Sequence, residues 1–568
     1  MERICAQIVI DCLALSGVTK AFGIASGKMM PLMRALSEQN RIRFIGVRHE
    51  QAAAMMATGV ALGTGQIACA FGELGPGGSN LVPGVANAFA DNVPLIVITT
   101  GNASHLTGPD RGTLMDLDLV ELFRPITKSS LRLTDGRRAP EVLRRAIREA
   151  RTGRPGPVHV NIPADILGGT YPYDPRMLME DDFAAAPRPF ADPALIAEAA
   201  ACLAAGKRPL VIAGGGVVRS GAADALMTVA DRLGAAATAT QMGIGTVPTD
   251  HPAYIGHGGI IGGAALVEAL QTADVVLAVG CRFSSWLWGA NGPLIAADAR
   301  LVQIDTDPAA FGRNVPVTVG IHADAKAALT ALANRLNSHT PPKAVTGWRD
   351  MLTTRHRAEL SESAGAGPVD GLPHPARYAE LLNEMLPQDA LVTYDGGHTT
   401  FWHNERLSAP APRTRFHAPG LALLGVGLPY AIGLKAAYPD RQVICTVGDG
   451  SVGFTVQELD TALRYRLPVI TVVHNNAAWG VIRAGQQKHG FDFETDLSGT
   501  DYAAIARGFG CVGHTVRSEE EFRAALSACL AEDRPSLIDC LTTFQPHPAM
   551  KYFGAAGAPR PADVALPY

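Results

Sequence analysis

The chain is predicted to be an α/β protein of three domains, each a doubly wound parallel sheet. Short apolar runs ending in glycine or a polar residue, each followed by an amphipathic stretch, recur from end to end, as in parallel strands covered by helices on both faces. At 568 residues the chain is too long for one core, and roughly 100–200 residues per domain predicts about three. Two stretches break the rhythm: 171–193, YPYDPRMLMEDDFAAAPRPFADP, and 337–376, which opens NSHTPPKAV and ends VDGLPHPA. Their proline and charge, without apolar periodicity, mark both as linkers.

The linkers set expected domain limits of 1–175, 190–340 and 370–547, with a tail at 548–568. The first block carries the strands VPLIVITTG and GPVHVNIP. The second carries RPLVIAGGG, ADVVLAVG and ARLVQIDTD, and the third ALVTYDGG, RQVICTVGDG, LPVITVVHNN and PSLIDCL. NVPLIVITTGNAS (92–104) and RLPVITVVHNNAAW (466–479) hint that the first and third blocks repeat one plan. Hydrophobic residues make up 47% of the chain, enough for full cores, while 18% charge and a net charge of -4 leave no footprint for nucleic acid or a membrane surface. A small-molecule substrate is the expected partner. Nine cysteines without a CxxC pair read as reduced core residues, and the absence of a signal-like start or a long apolar run predicts a cytoplasmic protein.

Residues 447–480, VGDGSVGFTVQELDTALRYRLPVITVVHNNAAWG, hold the most specific chemistry. The Gly448-Asp449-Gly450 turn sets backbone N–H groups and one carboxylate at the carboxyl edge of a sheet, where open α/β folds bind ligands. One helix and one strand later, His474, Asn475 and Asn476 arrive beside it. A carboxylate oxygen, an amide oxygen and a nearby carbonyl form a hard donor set suited to Mg²⁺, with water or phosphate oxygens completing the shell. The unit reads as a metal-bridged diphosphate site. A Gly-Asp-Gly turn alone is common; with the paired asparagines at this separation it is far more specific.

In that motif the chain resembles the thiamine-diphosphate enzymes. The resemblance implies that Asp449, Asn476 and the carbonyl of Ala478 hold Mg²⁺, with Gly450 and Ser451 on the diphosphate. DGGHTTFW (395–402) resembles the family's other phosphate-gripping turn and adds Gly397, His398 and Thr399. LALLGVGLPYAIGLKAA (421–437) resembles the segment beneath the bent cofactor, bringing Ala422 and making Leu424 the apolar wedge, while Trp479, Gly480 and Val481 follow the asparagines. Thiamine chemistry needs a carbanion at C2 of the thiazolium, which the cofactor makes when a carboxyl shares a proton with its pyrimidine ring. Taken alone, Glu50 in IGVRHEQAAAMMATGVALGTG reads as a helix-opening charge. Beside the other motifs it resembles the family's activating glutamate, which must be buried and apolar-lined to raise its pKa. LGPGGSNLVPGVANAFADNVPLIVITTG resembles the glycine-rich turn of the pyrimidine domain and puts Asn80 near the cofactor.

The implied order is pyrimidine-binding, central and diphosphate-binding domain. In this family a cofactor bridges the first domain of one subunit and the third of another, so a homodimer is the minimum and a homotetramer the usual assembly. QMGIGTVPTDHPAYIGHGGIIGG, AVGCRFSSWLWG and QIDTDPAAFGRNVP resemble the central domain of acetolactate synthases. Arg282 matches a nucleotide-gripping position there, but Ser284 and Ser285 replace the acidic pair of flavin-binding relatives, which argues against FAD and leaves a vestigial, empty or ADP-type site.

Around the reacting carbon the chain departs from the relatives. FGIASGKMMP places Ala25, Ser26 and Lys28 at the pocket, with Lys28 either a partner for a substrate carboxylate or phosphate or a surface lysine. Glu73 stands where a small or hydroxyl residue is usual and is either a second acid/base or a helix-neighbour charge; Met115 or Asp116 replaces a glutamine. NNAAWGVIRAGQQKHGFDFE resembles benzaldehyde lyase, with Val481 and Ile482 lining the pocket, and with Gln487, His489 and Glu494 on the following loop. Acid/base work falls to Glu73, His49 or His489. The expected activity is acetolactate-synthase-like cleavage or formation of a carbon–carbon bond beside a carbonyl, on a 2-oxo acid or 2-hydroxy carbonyl substrate, through a C2-carbanion and enamine. Benzaldehyde-lyase-like or 2-hydroxyacyl-CoA-lyase-like cleavage and simple 2-oxo acid decarboxylation are the alternatives, and a non-catalytic regulatory paralogue the rival of another class. The tail reads either as a disordered end or as a strap over a site, and a CoA substrate would need a basic patch near the tail and central domain, toward which Lys551 and Arg560 alone contribute.

Overall fold

The computed structural model describes residues 2–107, 112–174, 176, 188–289, 292–363 and 367–549. Three six-stranded sheets are parallel throughout. The first comprises β1 (Lys20–Gly23), β2 (Arg43–Gly46), β3 (Ala68–Gly72), β4 (Leu95–Gly101), β5 (Ser130–Arg132) and β6 (Val158–Pro163), in the order β2-β1-β3-β4-β6-β5. The central sheet is β7 (Pro209–Ala213), β8 (Ala236–Ala239), β9 (Tyr254–His257), β10 (Val275–Val279), β11 (Arg300–Asp305) and β12 (Val319–His322), ordered β9-β8-β7-β10-β11-β12. The third is β13 (Leu391–Asp395), β14 (Arg415–Phe416), β15 (Val443–Gly448), β16 (Ile470–Asn475), β17 (Val512–Val516) and β18 (Ser536–Leu541), ordered β14-β13-β15-β16-β18-β17.

Counted from its own first strand, the first and third sheets share one order, and β4 and β16, the strands of the two similar segments, are each fourth in theirs. The central sheet instead has the order of dinucleotide-binding folds. Strands such as β4 and β7 are buried along their whole length, which is why they read as continuous apolar runs rather than alternating ones.

Helices α1 (Glu50–Thr64) and α2 (Pro76–Ala90) follow β2 and β3. The reading of 337–376 as a linker is corrected: Lys343–Ser363 form a helix of 21 residues, α3. The prolines at 341–342 precede it, and a narrow stripe of Val345, Leu352 and His356 is buried. The charged remainder of the helix hid that stripe in the sequence. Its Glu359 accepts N–H bonds from Ala264 and Ala265 in the central domain.

The third sheet carries α4 (Gly397–Arg406), α5 (Gly427–Ala437), α6 (Glu458–Arg464) and α7 (Gly480–Lys488). Helices α1 and α5 join the first domain to the third. A Cβ on Gly59 would lie 2.6 Å from Tyr430 O, and one on Gly433 2.2 Å from Met56 O. Each glycine thus admits the other helix's backbone. One apolar core runs through the contact, from Ile45, Met55 and Val97 to Val443, Val473 and Leu537. All nine cysteines are free thiols, and only Cys202 is not fully buried. Among the described residues no helix is long and apolar enough to cross a membrane. Residues 550–568 of the tail, with Lys551 and Arg560, lie outside the described residues.

Candidate functional site

Pairing of β15 with β16 sets Gly448 opposite His474, so the Gly-Asp-Gly turn and the asparagines meet at one sheet edge. Asp449 is buried, and burial pushes its carboxyl up to about 6 although backbone N–H groups, including those of Gly450 and Ala478, favour the anion. The N–H of Ala478 donates to Asp449 Oδ2 at 3.2 Å and to Asn476 Oδ1 at 3.1 Å, so the two side-chain oxygens converge. Ala477, at φ +50°, supplies the left-handed bend that turns the chain back. Tyr502 fixes the turn from below, its hydroxyl donating to Asp449 O at 2.7 Å. Asn475 points elsewhere: its amide donates to Asp539 Oδ1 and Thr500 O, both at 3.0 Å.

The start of α4 forms the facing wall. Asp395 accepts from Gly396 N at 2.5 Å and from Gly427 N at 2.9 Å, which fixes the turn into α4. His398 is buried with Nε2 unpartnered, and burial lowers its pKa to about 4. Glycine makes room throughout: a Cβ on Gly397 would meet Val481 at 2.5 Å, and one on Gly450 the Trp479 ring at 2.6 Å. Thr399 Oγ1 lies 3.2 Å from where a Cβ on Gly448 would stand, and Gly480 packs on His398. Ser451 Oγ accepts from Gly425 N at 2.9 Å, tying the turn to the segment holding Ala422, at φ +55°, and half-buried Leu424. Two side-chain oxygens, a neutral buried imidazole with a free nitrogen and a glycine floor fit Mg²⁺ with a diphosphate.

A second group lies in the first domain. Glu50 is the first residue of α1, whose cap is His49, with Nδ1 accepting from Gln51 N at 3.2 Å. Asn80 Nδ2 donates to Glu50 Oε2 at 3.0 Å. A Cβ on Gly77 would lie 3.4 Å from Glu50 Oε1 and 3.2 Å from Glu73 Cβ, so the two acids flank one glycine. Glu73 Oε1 accepts from Lys28 N at 2.7 Å, and Lys28 Nζ donates to Asn102 Oδ1 at 2.5 Å. Asn102 is held in turn by donating to Thr113 Oγ1 and Asp116 Oδ1, each at 3.2 Å. Ser26 is half-buried with its hydroxyl unpartnered, Ala25 is exposed, and Met115, at φ +63°, backs onto Gly75.

The expected burial of Glu50 is corrected: within one chain it is half-buried. Among the described residues no hydrogen bond joins Glu50, Glu73 or Lys28 to Asp449, Asn476 or His398. His489 stands exposed after α7 and is brought to neither group; Gln487 donates to Asp492 instead. Large apolar side chains lie open in both halves: Met30 (63% exposed) and Leu114 (77%) in the first domain, Ile482 (56%) and Phe493 (69%) in the third.

Arg282 belongs to a different place, a cavity of about 1090 Å³ between the three domains. Arg219 donates to Asp91 O, Arg282 to Ala90 O, and Arg413 to Leu62 O and Val218 O. Among the described residues none of the three has a carboxylate within ion-pair distance, a donor set that suits phosphate. Ser284 and Ser285 also line the cavity and offer no carboxylate to a flavin's sugar chain.

Some contributors went unread in the sequence. Asp395 and Asn102 each adjoin a strand end already singled out, and that position was the available signal. Tyr502 acts across 53 residues of sequence, and Glu458, which accepts the backbone N–H of Arg48, across 410; no local pattern announces either.

Comparison with known proteins follows the same division. Residues 4–122 match the thiamine pyrophosphate enzyme N-terminal TPP binding domain, 196–332 the central domain and 395–540 the C-terminal TPP binding domain. A probable acetolactate synthase large subunit of Methanocaldococcus jannaschii is 32% identical over 549 residues, covering 94% of this chain and 91% of that protein. Of Escherichia coli (strain K12), the acetolactate synthase isozyme 3 large subunit is 31% identical over 541 residues (93% and 92% covered), and the isozyme 2 large subunit 31% over 540 (94% and 94%). With all three domains matched in order and the likeness running almost end to end, the chain belongs to the thiamine pyrophosphate enzyme family, which includes the acetolactate synthases.

Proposed function

We propose that the protein is a thiamine-diphosphate- and Mg²⁺-dependent enzyme, acetolactate-synthase-like, that makes or breaks the carbon–carbon bond beside the carbonyl of a 2-oxo acid. The observation that carries this is the convergence of Asp449 Oδ2 and Asn476 Oδ1 on the Ala478 N–H. Asp449, Asn476 and the carbonyl of Ala478 would hold the metal; Gly397, His398, Thr399, Gly450 and Ser451 would receive the diphosphate; Ala422, Leu424, Trp479, Gly480 and Val481 would wall the rings. When bound, the cofactor supplies an electron sink for the carbon that loses its substituent. Glu50, held by Asn80, would share a proton with the pyrimidine ring, and Glu73 would serve as acid or base at the substrate. Lys28, aimed by Asn102, receives the substrate's anionic group, while Ala25, Ser26, Met115 and Ile482 shape its pocket.

Domain limits near 1–175, 190–340 and 370–547 accord with one sheet closing in each. The working unit is a homodimer, and a homotetramer the full assembly, in a cytoplasmic setting. A half-buried Glu50 and open apolar side chains in the first and third domains favour closure by a second copy. The test is to load the purified protein with thiamine diphosphate and Mg²⁺, supply 2-oxo acids and acyloins, and follow CO₂, aldehyde and acyloin together. Acyloin from a 2-oxo acid is the expected result; aldehyde released from acyloins alone would favour a lyase, and no product from any would overturn the reading.

A further inference from the structure

Helix α6 lies in the third domain, yet its first side chain bonds into the first. Glu458 is fully buried, and its carboxylate accepts the backbone N–H of Arg48 at 3.2 Å and of His49 at 3.1 Å. Thr461 donates its hydroxyl to Glu458 Oε2 at 2.6 Å and fixes the rotamer. The next residue after His49 is Glu50. The strand end before it is gripped the same way, since Gly46 N donates to the Tyr465 hydroxyl at 2.7 Å and Arg48 pairs with Asp460 at 3.6 Å. Of the N–H groups from Gly46 to His49, only that of Val47 stays in its own domain, on Gly23 O.

The turn that aims Glu50 finds most of its N–H partners on another domain's side chains. Burial pushes the Glu458 carboxyl up to about 7, whereas Thr461 and the two amides favour its anion.

We infer that Glu458 is a positioning residue: by holding the amides of Arg48 and His49 it sets the direction of the Glu50 carboxyl. The inference rests on the role proposed for Glu50.

The test compares Glu458→Ala, Glu458→Gln, Glu50→Gln and the Glu458→Ala/Glu50→Gln double variant as holoenzymes. Three readouts are needed: deuterium exchange at the cofactor's thiazolium C2 after acid quench, cofactor affinity, and amide hydrogen exchange in residues 46–52. In Glu458→Ala, C2 exchange should slow about tenfold or more, as misaimed catalytic groups do, with cofactor affinity within about twofold. The double variant should be no slower than Glu50→Gln, because both changes remove one aimed carboxyl. Glu458→Gln, which keeps one acceptor oxygen, should fall between. Wild-type exchange in Glu458→Ala, or full additivity in the double variant, overturns the inference. Should Glu458→Ala fail to fold, Thr461→Val and Glu458→Gln carry the same comparison. If Glu50→Gln itself exchanges at the wild-type rate, the proposed role of Glu50 falls; amide exchange then decides separately whether Glu458 holds the turn, and unchanged protection at 46–52 overturns that too.

Discussion

The backbone N–H of Ala478 is shared between Asp449, at 3.2 Å, and Asn476, at 3.1 Å. A donor this close holds two oxygens side by side before any cation arrives, so little reorganisation accompanies binding. Asp449 is also buried with its pKa pushed up to about 6, so the anion is costly until a cation neutralises it. Asp449→Asn keeps the size and removes the charge. The expected outcome is a loss of Mg²⁺-supported cofactor affinity of about 100-fold, near 2.7 kcal/mol, with melting temperature unchanged or raised. Cofactor titration followed by tryptophan fluorescence checks it, since Trp479 lies against Gly450. Unchanged affinity would remove Asp449 from the metal site.

If the two half-sites of one chain serve different cofactors, defects in Glu50 and Asp449 must complement each other. Glu50→Gln and Asp449→Asn are each expected to be inactive alone. Mixed as unfolded chains and refolded together at equal amounts, half the dimers pair unlike chains. Each such dimer has one intact site, so about a quarter of wild-type activity should return. A mixture as inactive as its components would show that both residues serve one site within one chain.

Much of this was legible because the chemistry sits where chain topology is simplest. Asp449 and Asn476 lie at the ends of adjacent parallel strands, β15 and β16, so a short sequence separation translates directly into a distance. The repeated plan of the first and third sheets was visible in β4 and β16 for the same reason. Helix α3 was misread because its buried stripe is narrow and its remaining faces are charged. Glu458 and Tyr465 could not be read at all: their partners in β2 and the turn after it lie more than 400 residues away, and only the docking of α1 on α5 brings them near.

Lys28 is an ammonium whose described partner is the amide oxygen of Asn102. An amide orients a cation without cancelling it, so the charge stays available to an anionic substrate group. Lys28→Met should raise KM for a 2-oxo acid about tenfold or more and change kcat less, the pattern of a lost binding contact. Asn102→Ala should do the same more weakly, because the ammonium survives but loses its aim. Steady-state kinetics on both variants decides it. If KM stays at the wild-type value in Lys28→Met, the lysine is a surface residue.

His159 gives a pH dependence that can be separated from the reaction. Its ring lies buried on Phe123, with Nε2 at 2.7 Å from Thr99 Oγ1 and Nδ1 at 2.8 Å from Ser130 Oγ. Burial, then the charge of Arg132, lowers its pKa to about 3. In the unfolded chain the same imidazole titrates near ~6.5, so below that pH the unfolded state takes up the proton first. Its contribution to stability is therefore complete above about pH 6.5 and is lost as pH falls toward about 3. Between pH 7 and 5 that single group should cost about 2 kcal/mol. Other groups titrate in the same range, with buried carboxyls such as Asp91 shifted up to about 7 and acting in the opposite sense. The informative quantity is thus the difference between wild type and His159→Gln, which is less stable at pH 7 through lost packing but does not titrate. Urea unfolding at pH 7, 6 and 5 should show the gap between the two narrowing as the pH falls, and a gap constant across that range would mean that His159 does not stay neutral in the fold.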